Sequence, residues 1–465
     1  MNTMSLTTLE RGKTTVDAAV LEALSAQLRG TLLQAGDAAY DEARTVWNAT
    51  IDRRPGLIVY CVGASDVISA VNFARENRLL VSVRGGGHNI AGSAVCDGGL
   101  VIDLSAMKSV RVDVVARRVW VGPGATLVDV DRETQAFGLV VPTGINSTTG
   151  ISGLTLGGGF GWITRKFGLT IDNLVSADVV TADGKLLRAS QKDNPDLFWA
   201  LRGGGGNFGV VTSLEYRLHP VAQVLGGLLL YPLEQAQAVL RFYRDFCPSL
   251  PDEAEAFAAL LTTPQGMPVV ALLLGYNGPL EDGEKILAPA RRFGTPLADM
   301  VGPMPYTARQ TMLDAPNAEH GLHRYWRSAF TEQISDGLID AAVDGAASFT
   351  SPLSALIFFY MHGAATRPLP TETAFAARRA QWDFDAIGQW SDAATSDQHV
   401  AWVRGLWTRF EPHLLGKAYV NHLAADDRPE TIRASYGENY TRLRQAKAIY
   451  DPTNLFRMNA NIPPA

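Results

Sequence analysis

Three glycine-rich segments interrupt apolar, strand-like sequence in the first half of the chain. The first follows apolar residues 80–83 and reads RGGGHN at residues 84–89. The second spans residues 150–161, and the third spans residues 201–212. Glycine lets the backbone bend tightly and approach a flat or anionic ligand, because no side chain intervenes. One such segment is equally consistent with an ordinary tight turn, whereas the three together predict a bound cofactor.

The size and charge of the chain limit its organisation and its partners. Its 465 residues are too many for one ordinary core, so we expect two or three domains. A content of 46% apolar and 19% charged residues is typical of a compact folded protein. The formal net charge of -6 gives no electrostatic reason to bind nucleic acid or an acidic membrane, so we expect neither as a partner.

The cysteines and the N-terminal sequence exclude further classes. Cys61, Cys96 and Cys247 are scattered and form no CxxC pair, so we expect no disulfide framework and no metal site. The first ten residues contain no long apolar stretch, which argues against a secretory signal. Because no apolar run is long enough to span a bilayer, we expect a cytoplasmic protein.

Short strands and helices alternate irregularly up to residue 220. Residues 16–45 are predicted to be helical, and Asp66 is predicted to cap a helix over residues 67–76. Thr126 is predicted to cap a second helix, and residues 182–184 have the sequence of a hairpin turn. This mixture predicts an α+β domain over residues 1–220. It does not fit a regular βαβ series, and the glycine segments fit a dinucleotide-binding fingerprint poorly.

The sequence pattern changes after residue 220. Apolar strands are predicted at residues 225–231, 256–261, 269–274, 355–360 and 418–422, with helices between them, for example at 233–246 and 281–293. This pattern predicts an antiparallel sheet with helices on one face, over a substrate-binding domain of residues 221–422. Residues 429–448 are predicted to be helical, and residues 423–465 are predicted to return to the first domain.

A further motif, YDPTNLF, occupies residues 450–456 and is followed by Asn459 and Asn461. With the three glycine segments, it resembles the flavin-binding domain of the vanillyl-alcohol oxidase and p-cresol methylhydroxylase (PCMH) superfamily. The resemblance is strongest to the berberine bridge enzyme-like and 6-hydroxy-D-nicotine oxidase-like branch. It covers residues from about 54 to about 220 and resumes at the C-terminus, while the middle of the chain matches loosely. It implies a two-domain, PCMH-type FAD-binding fold.

The resemblance also implies how the FAD is held. In this family a histidine at the place of His88 is bonded to the 8α-methyl carbon of the flavin, although an exposed loop histidine is the alternative interpretation. Such a bond withdraws electron density from the flavin and should make hydride acceptance easier, while the cofactor itself carries out the chemistry. Some relatives have a second, cysteine tether, but the alignment places Asn146 there. We therefore expect one covalent link, through His88.

Further residues are expected to contact FAD through bare backbone or hydroxyl groups. They belong to the three glycine segments, to the loop before the second segment, and to the C-terminal motif. The expected cofactor-binding residues are Arg84, Gly85, Gly86, Gly87, His88, Asn89, Gly92, Thr143, Gly144, Thr148, Thr149, Gly150, Gly153, Leu154, Gly157, Gly158, Gly159, Gly161, Gly209, Val210, Val211, Tyr450, Asn459 and Asn461.

The expected catalytic residues lie near the end of the middle region. Tyr419, Asn421 and His422 belong to a YVNH sequence that resembles a strand facing the flavin in this branch. In relatives the last residue of this motif, or its neighbours, lies near the substrate and assists proton removal. A histidine can accept a proton near neutral pH, although a structural strand histidine is the alternative. Some relatives carry a catalytic Glu or Gln on a strand matching residues 356–363, and this chain has no acid there. Tyr360, His362 and His422 therefore remain as candidate bases.

These features predict an FAD-dependent oxidase. The expected substrate is a small alcohol, amine or phenolic compound, which would give hydride to flavin N5, and dioxygen would then reoxidise the flavin to give hydrogen peroxide. The alternatives are a dehydrogenase that uses another electron acceptor and a flavin-binding protein without turnover. We expect a monomer or a homodimer.

Overall fold

The computed structural model describes residues 3–317, 320–379 and 381–465. The first 220 residues form small sheets. In a mixed sheet the strand order is Thr31–Gln34, Leu57–Tyr60, Leu100–Asp103 and Val81–Arg84, with only the first strand antiparallel to its neighbour. An antiparallel sheet has the order Leu186–Ser190, Leu174–Val180, Val210–Arg217, Arg118–Val121 and Val110–Asp113. Short strand pairs join Thr3–Thr7 to Lys13–Asp17, and Leu139–Val140 to His219–Pro220.

The helices of this part are short and connect the strands. Their bounds are Ala18–Gln27, Tyr40–Ala43, Ala64–Glu76, Leu127–Gln135, Ile151–Gly157, Thr164–Phe167 and Pro195–Leu201. Thr126 forms the predicted cap, because its hydroxyl and backbone N–H pair with Asp129 in a capping box. The predicted hairpin at residues 182–184 is also confirmed, since it joins two paired antiparallel strands.

Two local predictions in this region were wrong. Residues 16–45 are not one helix, because strands at Lys13–Asp17 and Thr31–Gln34 bracket the helix Ala18–Gln27. Asp66 does not cap its helix, which begins after Gly63. The Asp66 carboxylate is buried and accepts hydrogen bonds from the backbone N–H groups of Arg29, Gly30 and Val62. The carboxylate therefore stabilises the neighbouring backbone at these residues. Such a long-range contact cannot be predicted from the local sequence.

A large antiparallel sheet dominates the middle of the chain. Its strand order is Ala298–Asp299, Gln223–Pro232, Pro268–Tyr276, Ala254–Thr262, Ala355–Met361, Gln381–Trp390 and His323–Thr331, and Gly302–Pro305 also pairs with Gln223–Pro232. The helices of this region are Ala236–Phe246, Leu280–Arg291, Tyr306–Gln310, Asp314–Asn317, Asp336–Ala346 and Ser396–Phe410.

The two faces of this sheet have different neighbours because side chains alternate along each strand. One face, which includes Phe358 and Phe384, packs in an apolar core with the helices Ala236–Phe246, Asp336–Ala346 and Ser396–Phe410. The other face, which includes Phe359, packs with Trp162 and other residues of the first 220. The predicted α+β class, with an antiparallel sheet backed by helices, is confirmed.

The C-terminal residues pack against the first part of the chain. Two helices, Pro429–Tyr436 and Tyr440–Tyr450, replace the single predicted helix over 429–448. The buried Lys447 ammonium forms an ion pair of 2.7 Å with the buried Asp451 and donates to the backbone oxygens of Asn207 and Phe456. The YDPTNLF motif is thereby anchored to the third glycine segment. The exact domain boundaries at residues 220 and 422 stay predictions.

Two further features concern the cysteines and the helices. Cys61, Cys96 and Cys247 are free and buried. Within the described part of the chain, every helix is too short or too polar to cross a membrane.

Candidate active site

A cavity of about 330 Å³ lies between the glycine segments and the face of the large sheet that carries Phe359. Members of all three glycine segments line it, together with residues 456 and 458–460 of the C-terminal region. The expected cofactor-binding residues on its wall are Gly85, Gly86, Gly87, His88, Asn89, Gly144, Thr149, Gly150, Gly153, Leu154, Gly209, Val210, Val211 and Asn459. The fold thus brings these expected cofactor-binding residues together from distant parts of the sequence, from Gly85 to Asn459.

The first two glycine segments touch through their backbones. A Cβ added to Gly86 would lie 2.5 Å from the backbone nitrogen of Gly150, and one added to Gly150 would lie 2.4 Å from that of Gly86. Neither neighbour is a side chain that can move aside. Glycine is therefore required at both positions for the loops to meet, and the helix Ile151–Gly157 begins directly after Gly150.

His88 lies on the cavity wall with its imidazole held on several sides. The ring stacks on Trp47, with centroids 4.2 Å apart and planes at 19°. Its Nε2 lies 2.9 Å from the Thr148 hydroxyl oxygen. Burial, and then the positive charges of Arg324 and His320, lower the pKa of His88 to about 3. The imidazole is therefore neutral at physiological pH, with an unshared electron pair available on one nitrogen.

Asn146 occupies a structured place in the loop before the second glycine segment. It lines the cavity, and its side-chain oxygen accepts hydrogen bonds from both the backbone N–H and the hydroxyl of Thr148, at 3.2 Å and 2.9 Å. None of the cysteines is among the residues that line the cavity in the described part of the chain.

Several expected cofactor residues do not line the cavity. They are Arg84, Gly92, Thr143, Thr148, Gly157, Gly158, Gly159, Gly161, Tyr450 and Asn461. The glycines among them serve close packing, which the sequence cannot distinguish from cofactor contact. A Cβ on Gly157 would lie 2.0 Å from the Asn421 side chain, and one on Gly161 would lie 2.2 Å from the Thr143 carbonyl oxygen. Conversely, Gly205, Gly206 and Asn207 line the cavity and were not expected there.

The YVNH sequence is not a strand, so the predicted strand over residues 418–422 was wrong. Residues Val420–His422 form a single 3₁₀ turn. The buried Tyr419 hydroxyl accepts hydrogen bonds from the Gly159 backbone N–H at 2.7 Å and from the Asn421 amide at 2.8 Å. This turn lets Tyr419, Asn421 and His422 all line the cavity, whereas a strand would send neighbouring side chains to opposite faces.

His422 is held by two aspartates that sequence reasoning missed. Its Nδ1 lies 3.1 Å from an oxygen of Asp385 and 3.3 Å from an oxygen of Asp383. Ser328 donates to Asp383 at 3.1 Å. Burial alone would lower the pKa of His422, but the carboxylates of Asp385 and Asp383 outweigh burial and raise it to about 10. Burial and the nearby Asp385 raise the pKa of Asp383.

The cluster of His422, Asp383 and Asp385 can hold a proton or a cation. One ligating atom of each residue lies within 4.8 Å of the others, a spacing that a metal ion could also bridge. The short distances from His422 Nδ1 to the two carboxylates fit a proton on Nδ1, because each carboxylate oxygen can accept a hydrogen bond from it. The expectation of no metal stays a prediction. A signal for the acids exists in the sequence: in the strand Gln381–Trp390, Asp383 and Asp385 alternate with apolar residues.

Tyr360, which belongs to the expected catalytic set, does not line this cavity. In the strand Ala355–Met361, Ile357 and Phe359 line the cavity, and alternation sends Tyr360 to the opposite face. There its ring packs on Trp382 with centroids 4.2 Å apart. His362 also does not line the cavity. Of the three candidate bases, only His422 therefore reaches this site.

Comparison with known proteins agrees with this architecture. A family model described as an FAD binding domain matches residues 55–190, and one described as berberine and berberine like matches residues 418–463. The chain is 33% identical to an FAD-linked oxidoreductase of Dictyostelium discoideum, over 94% of this chain and 95% of the relative. It is 30% identical to (R)-6-hydroxynicotine oxidase of Paenarthrobacter nicotinovorans, over 94% and 97% of the two chains.

Solved structures show the same fold. The crystal structure of 6-hydroxy-D-nicotine oxidase from Arthrobacter nicotinovorans has a TM-score of 0.86 and 30% identity, covering 94% of this chain and 98% of that one. A BBE-like 1 variant from Physcomitrella patens has a TM-score of 0.86 at 24% identity, covering 96% and 99% of the two chains, which supports the fold alone. The fold and site thus define an FAD-linked oxidoreductase. The chain belongs to the berberine bridge enzyme-like family of these enzymes, and its fold is the expected PCMH type.

The residues of the cavity fit FAD. Glycine backbone on the wall allows close approach of a flat ring and a diphosphate. The side-chain oxygen of Asn459 is buried at this wall without a hydrogen-bond partner in the described residues, so an acceptor is available for a ligand N–H or O–H. His88, Asn89, Gly209, Val210 and Val211 are among the cavity-lining residues that would hold the cofactor.

Proposed function

We propose that this protein is an FAD-dependent oxidase of a small alcohol, amine or phenolic compound. One observation supports it above all: a single cavity is lined by a neutral histidine on the glycine loops and by a histidine backed by aspartate. FAD bound there would supply the acceptor for a hydride from a substrate C–H bond. Dioxygen would restore the oxidised cofactor and yield hydrogen peroxide.

His88 is proposed to hold FAD through one covalent bond to the 8α carbon. The imidazole is neutral and its ring plane is fixed by Trp47, so little reorganisation is needed to present a nitrogen to the cofactor. The other tether position is taken by Asn146, whose amide cannot form the thioether that a cysteine would form. The proposed link is therefore single.

His422 is proposed to accept the proton of the substrate's O–H or N–H group. Both neighbours of its Nδ1 are carboxylate oxygens, so Nδ1 keeps its proton and donates it to Asp385, while an oxygen of Asp383 lies 3.3 Å away. Nε2 is then the atom that gains or loses a proton in the cavity. The carboxylates stabilise the imidazolium that forms, while Tyr419 and Asn421 shape the wall beside it.

The surroundings of His422 favour a small, largely apolar substrate. Phe160, Trp326 and Tyr419 have ring centroids within 6.0 Å of the His422 ring. In the described part of the chain no lysine or arginine lines the cavity, whereas the Asp385 carboxylate does. This wall can accept an aromatic or alicyclic amine or alcohol, and its described residues include no lysine or arginine to recognise an acidic substrate. The nicotine-derivative oxidase among the relatives makes amines the first compounds to test.

The test is a screen of cyclic amines, alcohols and phenols by peroxide release in air. An oxidase should bleach the visible flavin absorption under anaerobic conditions with its substrate, regain it on admission of air, and release one peroxide per substrate. A substrate that bleaches the flavin without peroxide release, but with turnover in the presence of an artificial electron acceptor, would make the protein a dehydrogenase. A screen in which no compound bleaches the flavin, while the bound flavin accepts electrons from dithionite, would contradict the proposed substrate classes.

A further inference from the structure

A short chain of hydrogen bonds connects Asn146 to His88. The Asn146 side-chain oxygen accepts from the backbone N–H of Thr148, which can only donate, so the orientation of the amide is fixed. The same oxygen receives the Thr148 hydroxyl hydrogen at 2.9 Å. The Thr148 hydroxyl oxygen lies 2.9 Å from His88 Nε2.

This chain of contacts determines which nitrogen of His88 carries the hydrogen. A hydroxyl group has one hydrogen, and Thr148 uses it toward Asn146. The Thr148 oxygen can then only accept from His88, so Nε2 carries the hydrogen. In a neutral imidazole the other nitrogen is bare. Nδ1 therefore has a free electron pair.

Stacking and charge support the same state. The Trp47 ring lies against the imidazole at 4.2 Å, and the Trp47 indole N–H donates to the backbone oxygen of Asn317 at 2.7 Å. The Arg324 guanidinium lies over the Trp47 ring, 3.6 Å from its centroid. This positive charge opposes protonation of His88, whose pKa is lowered by burial first and by Arg324 second.

We propose that Asn146 and Thr148 are positioning residues for covalent attachment of the flavin, because they keep His88 as its Nε2–H tautomer and leave Nδ1 as the nucleophile. The inference rests on the proposed covalent link at His88. It gives Asn146 a role of its own at the place where doubly tethered relatives have a cysteine.

The attachment step balances with dioxygen as the oxidant. A C–H bond of the flavin 8α-methyl group breaks and its proton leaves. The Nδ1 electron pair forms the new N–C bond, and two electrons enter the flavin ring system. Dioxygen takes these electrons and becomes hydrogen peroxide by binding two protons, which balance the one lost from the methyl group and the one lost from Nε2 after alkylation.

The test uses the full chain produced in a riboflavin-auxotrophic host and then supplied with FAD in air. Covalent flavin is followed over time as fluorescence that stays with acid-denatured protein on a gel. Thr148→Val removes the hydroxyl and Thr148→Ser keeps it. Asn146→Leu removes the acceptor, which frees the Thr148 hydroxyl to donate to Nε2 and favours the wrong tautomer. Asn146→Asp keeps an acceptor oxygen and serves as its control.

We expect Thr148→Val and Asn146→Leu to slow attachment about 10- to 100-fold, the range typical when a hydrogen-bond partner of a metal-binding histidine is removed. Thr148→Ser and Asn146→Asp should attach FAD at a rate close to that of wild type. All variants should bind FAD, measured as flavin released by acid, because the loop remains in place. Histidine ¹⁵N spectra of the apoprotein, assigned with His88→Gln, should show a bare Nδ1 in wild type and a bare Nε2 in Asn146→Leu.

Three outcomes decide the matter. Attachment in Thr148→Val and Asn146→Leu at the wild-type rate would overturn the inference while leaving the His88 link intact. Absence of covalent flavin in wild type would instead overturn the link proposed above. If the Leu and Val variants bind no FAD, the wild-type ¹⁵N spectrum decides, and a protonated Nδ1 there refutes the inference.

Discussion

Asp383 and Asp385 determine how His422 can act as a base. A histidine without neighbours titrates near its unperturbed pKa of about 6.5. Here the carboxylates outweigh burial and raise the pKa to about 10, so the imidazolium is the stable form at neutral pH. Because the base must be deprotonated to act, the rate of flavin reduction should increase with pH through this range. The sequence alone predicts the inflection near 6.5, since it does not reveal the acid pair.

The His422 assignment predicts two separable changes. His422→Ala should lower the anaerobic rate of flavin reduction by at least about 10², the usual contribution of general-base catalysis, with flavin content unchanged. Asp385→Asn removes one carboxylate and should move the inflection of the pH–rate profile to lower pH. Stopped-flow reduction across the pH range measures both effects.

His323→Ala provides the control, because His323 lies outside the cavity at the edge of the large sheet. Its reduction rate should equal that of wild type. A His422→Ala protein that reduces its flavin at the wild-type rate would remove His422 from the mechanism. Tyr360 packs against the helix-backed core and does not line the cavity, so we do not expect it to replace His422 as the base.

The sequence predicted the two histidines of the site better than it predicted which glycines line the cavity. The resemblance selected His88 and His422, and both line the cavity. It also selected Gly157 and Gly159, whose reason for being glycine is packing against Asn421 and Thr170. A sequence cannot distinguish a glycine that leaves room for a ligand from one that leaves room for a neighbouring side chain, because a Cβ would clash in both cases.

At the scale of elements, the backbone contact between the first two glycine segments holds together two walls of the cavity. Gly86→Ala should lower the melting temperature and the flavin content together, because its Cβ would lie 2.5 Å from the Gly150 backbone nitrogen. Overpacking of this kind typically costs about 1–3 kcal/mol. Thermal unfolding followed by circular dichroism, with flavin content measured after acid release, checks both effects.

Gly405→Ala is the matched control in the helix Ser396–Phe410, where an added Cβ meets nothing within 4 Å. It should leave flavin content unchanged and stabilise the protein by about 0.5–1 kcal/mol, since alanine favours a helix interior. Equal melting temperatures and flavin contents for Gly86→Ala and wild type would show that the loops can separate without loss of the site.

The same scale explains why the YVNH element was predicted incorrectly. Tyr and Val favour strands, so local sequence predicts a strand there. In the folded protein the Tyr419 hydroxyl and the Asn421 amide bond to each other and to the helix-bearing glycine segment, through Gly159 N–H and the Leu154 carbonyl. These contacts come from residues about 260 positions away in the sequence, and they favour a 3₁₀ turn over the local preference.

At the scale of the whole molecule, the sequence predicted the layers better than the strands. The helix-backed antiparallel sheet was expected, but the strands His323–Thr331 and Gln381–Trp390 were not. Both carry buried charged residues, Arg324 on one and Asp383 and Asp385 on the other, which hide the apolar alternation. Such charges are tolerated only because partners from elsewhere in the fold meet them, and partners cannot be identified from one strand's sequence.

The central claim, that one cavity holds FAD bonded to His88 within reach of His422, depends first on that bond. Peptide mapping of the denatured protein by mass spectrometry tests it most directly. The account predicts one flavin-modified peptide, the one containing His88, with fragment ions that place the modification on that histidine, and an unmodified peptide containing Asn146. Recovery of the His88 peptide entirely unmodified, with all flavin released on denaturation, would contradict the account.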